Sequence, residues 1–220
     1  MIIVKSLEQL TFNPFKSPFA LVPTMGNLHS GHINLLKLAV KNNYNPVFSI
    51  FVNPLQFGPN EDYESYPRSL ERDIDVLKEN NCHGVFIPKQ EEILENVESL
   101  VAPTSDKLCG KSRPGHFDGV ITIVNRLFET IKPEACVFGA KDFQQQLVIK
   151  HLIKQKHRHI KFISAPTERD ENGLALSSRN NYLNESEKIE ASLIFKFLSS
   201  LSFELKLLPQ TNKKNFLFEM

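Results

Sequence analysis

No run of eighteen apolar residues occurs anywhere in the 220 residues of this chain, so no segment reads as a membrane-spanning helix. The N-terminal MIIVKSLEQL is too short in its apolar part, and too soon charged, for a signal peptide, and the expectation is a cytoplasmic protein. Charge of one sign is also lacking. Lys and Arg number 26 against 25 Asp and Glu, a net of +1, which gives no basic field for nucleic acid and no polybasic run for a membrane surface. Small or locally recognised partners remain. Cysteine is scarce: Cys82, Cys109 and Cys136 are widely spread and never form CxxC, so they read as reduced packing thiols rather than a disulfide frame or zinc site. With 41% hydrophobic residues, the length suffices for one large domain with a buried core and a small appendage.

Short Val-, Ile- and Phe-rich runs alternate with longer segments of helical period. FALVP, HINLLKLAVKN, PVFSIFVN, SLERDIDVLKEN and GVFIP make a βαβαβ beginning. ITIVNRLFETI follows as a helix, EACVFGA as a buried strand, FQQQLVIKHLIKQ as a helix and KFISAP as a further strand. This alternation implies an α/β fold with a Rossmann-like, doubly wound parallel sheet. Pro14 and Pro18 interrupt the N-terminal segment, while GPNEDYESYP and VAPTSDKLCGKSRPGHFDG are long enough to be functional loops. ESEKIEASLIFKFLSSL reads as one helix capped near Asn184 or Ser186, and the tail after it has no clear period.

Ligands of such sheets bind beyond the carboxyl ends of the strands, and PTMGNLHSGH, Pro23 to His32, lies at one of these junctions. Gly26 permits a turn, Gly31 permits close approach of a ligand, and the helix that starts there offers free N–H groups to an anion. His29 and His32 could donate hydrogen bonds to a triphosphate as a bond to phosphorus breaks. The alternative is a capping or core histidine beside a solvated one. A metal reading fails, since HxxH is not HExxH and no third ligand stands nearby. Gly110-Lys111-Ser112 ends like a P-loop, but Ser105 stands where its first glycine is needed, and no GxGxxG occurs. A second strand-end cluster, Gly139-Ala140-Lys141-Asp142, opens a helix, so that Lys141 can meet a phosphate. Leu176-Ser177-Ser178-Arg179 follows the turn Asp170–Gly173 and sets two hydroxyls and a guanidinium on one loop, which also reads as a surface turn.

Taken in order, PTMGNLHSGH, SIFVNPLQF, YPRSLERD, GKSRPGHFDGV, FGAKDFQQ and LALSSRN closely resemble the pantothenate synthetase (pantoate–β-alanine ligase) family of HxGH nucleotidyltransferases, from about Phe19 to Tyr182. The resemblance implies a reaction with ATP and Mg2+ in which the pantoate carboxylate attacks the α-phosphate. β-Alanine then attacks the pantoyl adenylate, giving pantothenate, AMP and pyrophosphate. It further implies that Met25, Gly26, Asn27, Leu28, His29, Ser30, Gly31 and His32 hold ATP. Gly139, Ala140, Lys141, Asp142, Leu176, Ser177, Ser178 and Arg179 would complete that site. His32, His29, Lys141 and Arg179 are the catalytic candidates. His32 stands at the family's proton-donor position, although phosphate stabilisation is the stronger physical role for it. Gln56 and Gln145 would contact substrate. Asn53, also a turn residue before Pro54, would shape the same pocket. Asp73 would lie near magnesium, and reads equally as a first-turn helix acid. Arg113 and His116 fall in a loop that resembles an active-site cover.

The resemblance implies a homodimer. Ala140 stands where many members carry glutamate. After Tyr182 the family continues into a domain that hinges over the site, and here 38 residues follow (220 minus 182). The expected organisation is therefore a catalytic domain over 1–182 and a short remnant of the lid over 183–220. A shortened lid would expose the adenylate to water, and the alternative reading is an ATP- and pantoate-binding remnant without turnover.

Overall fold

The structure is a computed structural model that describes residues 1–207. It divides into two compact units, Met1–Thr167 and a second that begins at Glu168. The first holds six strands: β1 (Ile2–Val4), β2 (Phe19–Thr24), β3 (Asn45–Ile50), β4 (Gly84–Phe86), β5 (Ala135–Gly139) and β6 (Lys161–Ala165). Their order across the sheet is β1-β4-β3-β2-β5-β6, and every pairing is parallel. The order reverses between β2 and β5, and the crevice between them at their carboxyl ends is the switch point where such sheets take ligands.

The helices are α1 (Ser30–Lys41), α2 (Leu70–Glu79), the short α3 (Gln90–Leu94) and α4 (Cys109–Ser112), then α5 (His116–Ile131) and α6 (Phe143–Lys156). A parallel sheet needs cover on both faces, and the core accordingly forms two clusters. Leu21, Phe86, Phe128 and Ile149 belong to one, and Val22, Leu36, Phe48 and Leu77 to the other, all nearly inaccessible to solvent. Alternate residues of one strand, such as Leu21 and Val22, therefore serve opposite faces.

The expected strands and long helices are present. The N-terminal MIIVK, which the sequence pattern leaves unassigned, contributes β1, an edge strand that pairs Ile2 with Gly84 and Val4 with Phe86. Helix α5 starts five residues before ITIVNRLFETI because Gly115 takes φ +80°, a left-handed conformation that costs glycine little and turns the chain into the helix.

In the second unit, Asp170 Oδ1 accepts from the N–H of Asn172 and Leu174 to form the expected turn, closed by an antiparallel bridge between Arg169 and Ala175. Ser177 caps the turn Ser178–Tyr182. Helix α7 (Glu185–Leu207) starts with a capping box in which Asn184 Oδ1 accepts from Glu187 N–H and Glu187 accepts from Asn184 N–H. It runs six residues past the expected end at Leu201. The Arg169 guanidinium lies 3.6 Å from the ring centre of Phe195 on α7, a cation–π contact that ties the turn to the helix. Beyond residue 207 the aperiodic tail lies outside the described residues.

Candidate active site

The two strand-end clusters meet at the switch point. Strand β2 delivers residues 25–32 and β5 delivers Ala140–Asp142, a 3-10 turn that runs into α6. The β2 junction is held from below. Asp73, on the first turn of α2 and 1% exposed, accepts from the N–H of Asn27 through one oxygen and of Leu28 through the other, both at 2.8 Å. Ser69 Oγ donates to the same carboxylate at 3.1 Å. Gly26 sits against it at φ +83°, where a Cβ would meet Asp73 Oδ2 at 2.9 Å and Ile50 at 3.2 Å. A side chain here would be both strained and crowded.

With this turn fixed, the histidines close the N-terminus of α1. His29 Nδ1 accepts from Gly31 N–H at 3.1 Å, and His32 Nδ1 accepts from His29 N–H at 3.2 Å. The pair forms a reciprocal capping box, with ring centres 4.1 Å apart. A nitrogen that accepts carries no proton, so each neutral ring bears its hydrogen on Nε2. Burial pushes the His32 pKa down to about 3, helped by His29 and Lys141, and burial followed by Lys141 lowers that of His29. Lys141 thus acts on both rings from the neighbouring strand end. Its ammonium, about two-fifths exposed, stands 3.6 Å from the Asp142 carboxylate. The result is two neutral N–H donors and one cation at a single crevice, a combination suited to phosphate oxygens.

A third element lies beside them. After β3 the turn Pro54–Gln56 is capped by Asn53, whose Oδ1 accepts from Leu55 N–H at 3.0 Å. Asn53 Nδ2 donates to Gln56 Oε1 and to Gly119 O, both at 3.1 Å. Gln56 Nε2 in turn faces Met25 Sδ at 3.1 Å. Gly119 of α5 packs directly on this turn, and a Cβ there would lie 2.1 Å from Leu55 O.

Several of the candidate residues are engaged by the protein itself. Asn53 is 3% exposed with both ends of its amide engaged, so it shapes this corner by holding Gln56. Asp73 accepts from two backbone N–H groups and so anchors the loop, the role of the first-turn helix acid that the sequence also allows. Leu28, among the ATP-site candidates, buries its side chain in the core and turns its N–H to Asp73. Asn27 likewise turns its N–H inward. Met25, Gly26, His29, Ser30, Gly31 and His32 remain on the junction itself. Leu176, Ser177, Ser178 and Arg179 belong to the second unit.

The triple glutamine separates into three roles. Gln144 donates to Thr104 O and Lys107 O and accepts from Cys109 N–H, thereby fixing the loop 104–109. Gln146 donates to Phe138 O and exchanges hydrogen bonds with Ser164 Oγ. Gln145, between them, is half-buried, and its amide has no hydrogen-bond partner among the described residues. Of the three amides it alone is not taken up by the fold among the described residues. Among the described residues no three His, Cys, Asp or Glu side chains converge to hold a metal. Sequence reasoning missed Glu61, whose ion pair with Arg113 joins two of the long loops.

Residues 3–216 match the family model for pantoate-beta-alanine ligase. The pantothenate synthetase of Methylobacillus flagellatus is 47% identical over 186 residues, which cover 83% of this chain and 67% of that protein. The crystal structure of pantothenate synthetase from Thermus thermophilus superimposes with a TM-score of 0.86 at 40% identity, covering 91% of this chain and 74% of that one. The pantoate-beta-alanine ligase from Francisella tularensis, crystallised with beta-gamma ATP and beta-alanine, gives a TM-score of 0.81 at 39% identity, covering 90% and 79%. The chain spans about two thirds to four fifths of the length of these relatives. From the switch-point histidines to the whole-chain likeness, the findings agree that this chain belongs to the pantoate-beta-alanine ligase family.

Proposed function

We propose that the chain condenses pantoate with β-alanine using ATP. The pantoate carboxylate oxygen bonds to the α-phosphorus and pyrophosphate leaves. The β-alanine amine then bonds to the acyl carbon of the pantoyl adenylate, AMP leaves, and the amine proton passes to solvent.

The observation that carries this reading is the pair of neutral imidazoles, each with Nε2–H free for phosphate, beside Lys141 at the β2/β5 switch point. Two N–H donors held in advance match charge that grows on the leaving pyrophosphate. With a pKa near 3, His32 is a hydrogen-bond donor at neutral pH rather than a proton reservoir. Gln145 and Gln56 supply amides that suit a substrate bearing hydroxyls and a carboxylate. Leu176–Arg179 is assigned to the nucleotide on the family resemblance, with Arg179 offsetting phosphate charge.

Among the described residues no three His, Cys, Asp or Glu side chains converge, and both Asp73 oxygens accept backbone N–H groups. Magnesium is assigned to the nucleotide's phosphates, as part of the substrate. No helix among the described residues is long and apolar enough to cross a membrane. A cytoplasmic location and a homodimer belong to the same reading, the latter measurable by sedimentation.

The test is formation of pantothenate and AMP by the purified chain given ATP, magnesium, pantoate and β-alanine, with His32→Ala as control. Product that disappears in the control supports the ligase. A folded chain that binds ATP yet makes no product would leave a binding site without turnover and sink the proposal.

A further inference from the structure

Two loops far apart in sequence are joined beside the substrate-facing turn. Arg113 donates to Glu61 through Nε at 2.6 Å and through Nη2 at 2.5 Å, a two-pronged ion pair between partners 52 residues apart. Both side chains are largely withdrawn from solvent, with 25% of the Glu61 surface and 31% of the Arg113 surface exposed. The remaining Arg113 nitrogen, Nη1, lies 3.2 Å from His116 Nε2, and His116 Nδ1 lies 2.8 Å from the backbone carbonyl of Gln56.

The partners determine the protons. A carbonyl only accepts, so His116 Nδ1 carries the hydrogen and donates to Gln56 O. A guanidinium only donates, so Nε2 is bare and accepts from Arg113. His116 is thereby a neutral ring held in the Nδ1–H form. Its pKa is lowered by burial first, against the opposing pull of the Gln56 carbonyl, while Arg113 lowers it and Glu61 and Asp142 raise it. At the far end of this relay, the Gln56 amide is held by Asn53 and faces Met25 of the histidine loop.

We propose that Glu61 is a positioning residue for the condensation: by fixing the Arg113 guanidinium it fixes His116, and through the His116–Gln56 hydrogen bond it sets where the Gln56 amide meets its substrate. The inference rests on the ligase reading. Glu61 itself touches no reacting atom. Its carboxylate has the geometry that a planar guanidinium requires, and neither Lys at 113 nor an amide at 61 would reproduce both hydrogen bonds.

The experiment has two arms. In the first, the ring nitrogens of His116 are read by nitrogen-15 NMR. The Nδ1–H form is expected in the unaltered chain at neutral pH, with a shift toward Nε2–H in Glu61→Gln. An Nε2–H ring in the unaltered chain overturns the relay whether or not the variant folds. In the second arm, Glu61→Gln is expected to raise KM for pantoate or β-alanine about tenfold, with kcat and the KM for ATP nearly unchanged. Glu61→Asp, which keeps the charge, is expected to fall between the two. Unchanged KM values for both substrates overturn the positioning role, as does an equal loss in all parameters that tracks a lowered Tm. A chain without turnover overturns the ligase reading instead. Positioning is then decided by calorimetric titration with pantoate, where the same tenfold weakening supports it. Equal binding by the two chains, or none by either, overturns it.

Discussion

His29 and His32 cap the same helix reciprocally: each imidazole accepts, through Nδ1, a backbone N–H from the other's vicinity, His32 from His29 and His29 from Gly31. The cap works only with both rings neutral, which is also the state that leaves Nε2–H for a phosphate. Structural and functional demands on the HxGH segment therefore coincide. The first prediction follows from the sign of the His32 shift. Its folded pKa is about 3, below the ordinary 6.5, so between these values the unfolded chain binds the extra proton. Stability is full above about pH 6.5 and is lost as pH falls toward 3, with a slope of up to about 1.4 kcal/mol per pH unit from this group. Urea unfolding at pH 7, 6, 5 and 4 measures it, and His32→Gln is expected to flatten the slope. An equal slope in the variant would refute the assignment.

Asp73 offers a sharper test of how the turn is held. In Asp73→Asn one oxygen becomes an N–H2 group that faces the N–H of Asn27 or Leu28, so a buried acceptor is replaced by a donor. The expected loss is about 2–3 kcal/mol, the scale for hydrogen bonds to a charged group, with weaker ATP binding because the histidine loop shifts. Chemical denaturation and ATP calorimetry read the two effects. Retained stability with weaker binding only in the presence of magnesium would instead make Asp73 a metal ligand.

How much of this was legible in sequence depends on the separation of the partners. Strand β2 and helices α1, α2, α5 and α6 announce themselves by local period, and the Asn184 cap by a carboxylate three residues on. Strand β1 does not, since three residues at a sheet edge carry no alternation that separates them from any apolar N-terminus. The switch-point histidines read as candidate phosphate ligands from their place between strand and helix. Their reciprocal cap was not legible, because HxGH spacing allows several ring orientations. Asp73 with Asn27, 46 residues apart, and Glu61 with Arg113, 52 apart, are partners that only the folded topology brings together. Nor does the run Gln144-Gln145-Gln146 say which amide faces inward, since the answer lies in the carbonyls of Thr104, Lys107 and Phe138.

Gly119 makes a further prediction about the Pro54–Gln56 turn. A methyl group at this position would meet backbone atoms of Leu55 and Gln56 at 2.1 to 2.7 Å, and backbone within a capped turn has little room to move aside. Gly119→Ala is expected to cost about 3 kcal/mol, the upper part of the usual overpacking range. Because the turn carries Gln56, the KM for pantoate should rise as well. Thermal unfolding and steady-state kinetics check this, and a variant with unaltered Tm would show that α5 can slide away from the turn.

Adjacent glutamines supply the last contrast. Gln144 is 7% exposed and makes three hydrogen bonds to the loop 104–109, two as donor and one as acceptor. Truncation in Gln144→Ala leaves two carbonyls and one N–H without that partner, so it should destabilise the chain by about 2–3 kcal/mol. Gln145→Ala removes an amide with no partner among the described residues, so the cost to folding should be within about 0.5 kcal/mol. Its effect should fall on substrate instead: if Gln145 donates to pantoate, a tenfold or greater rise in KM is expected while Tm holds. Measuring both variants by denaturation and kinetics separates the roles by residue. If Gln145→Ala loses stability and keeps its KM, the free amide is not a substrate contact. The assignment of the Gln145 amide to pantoate would then have to be abandoned.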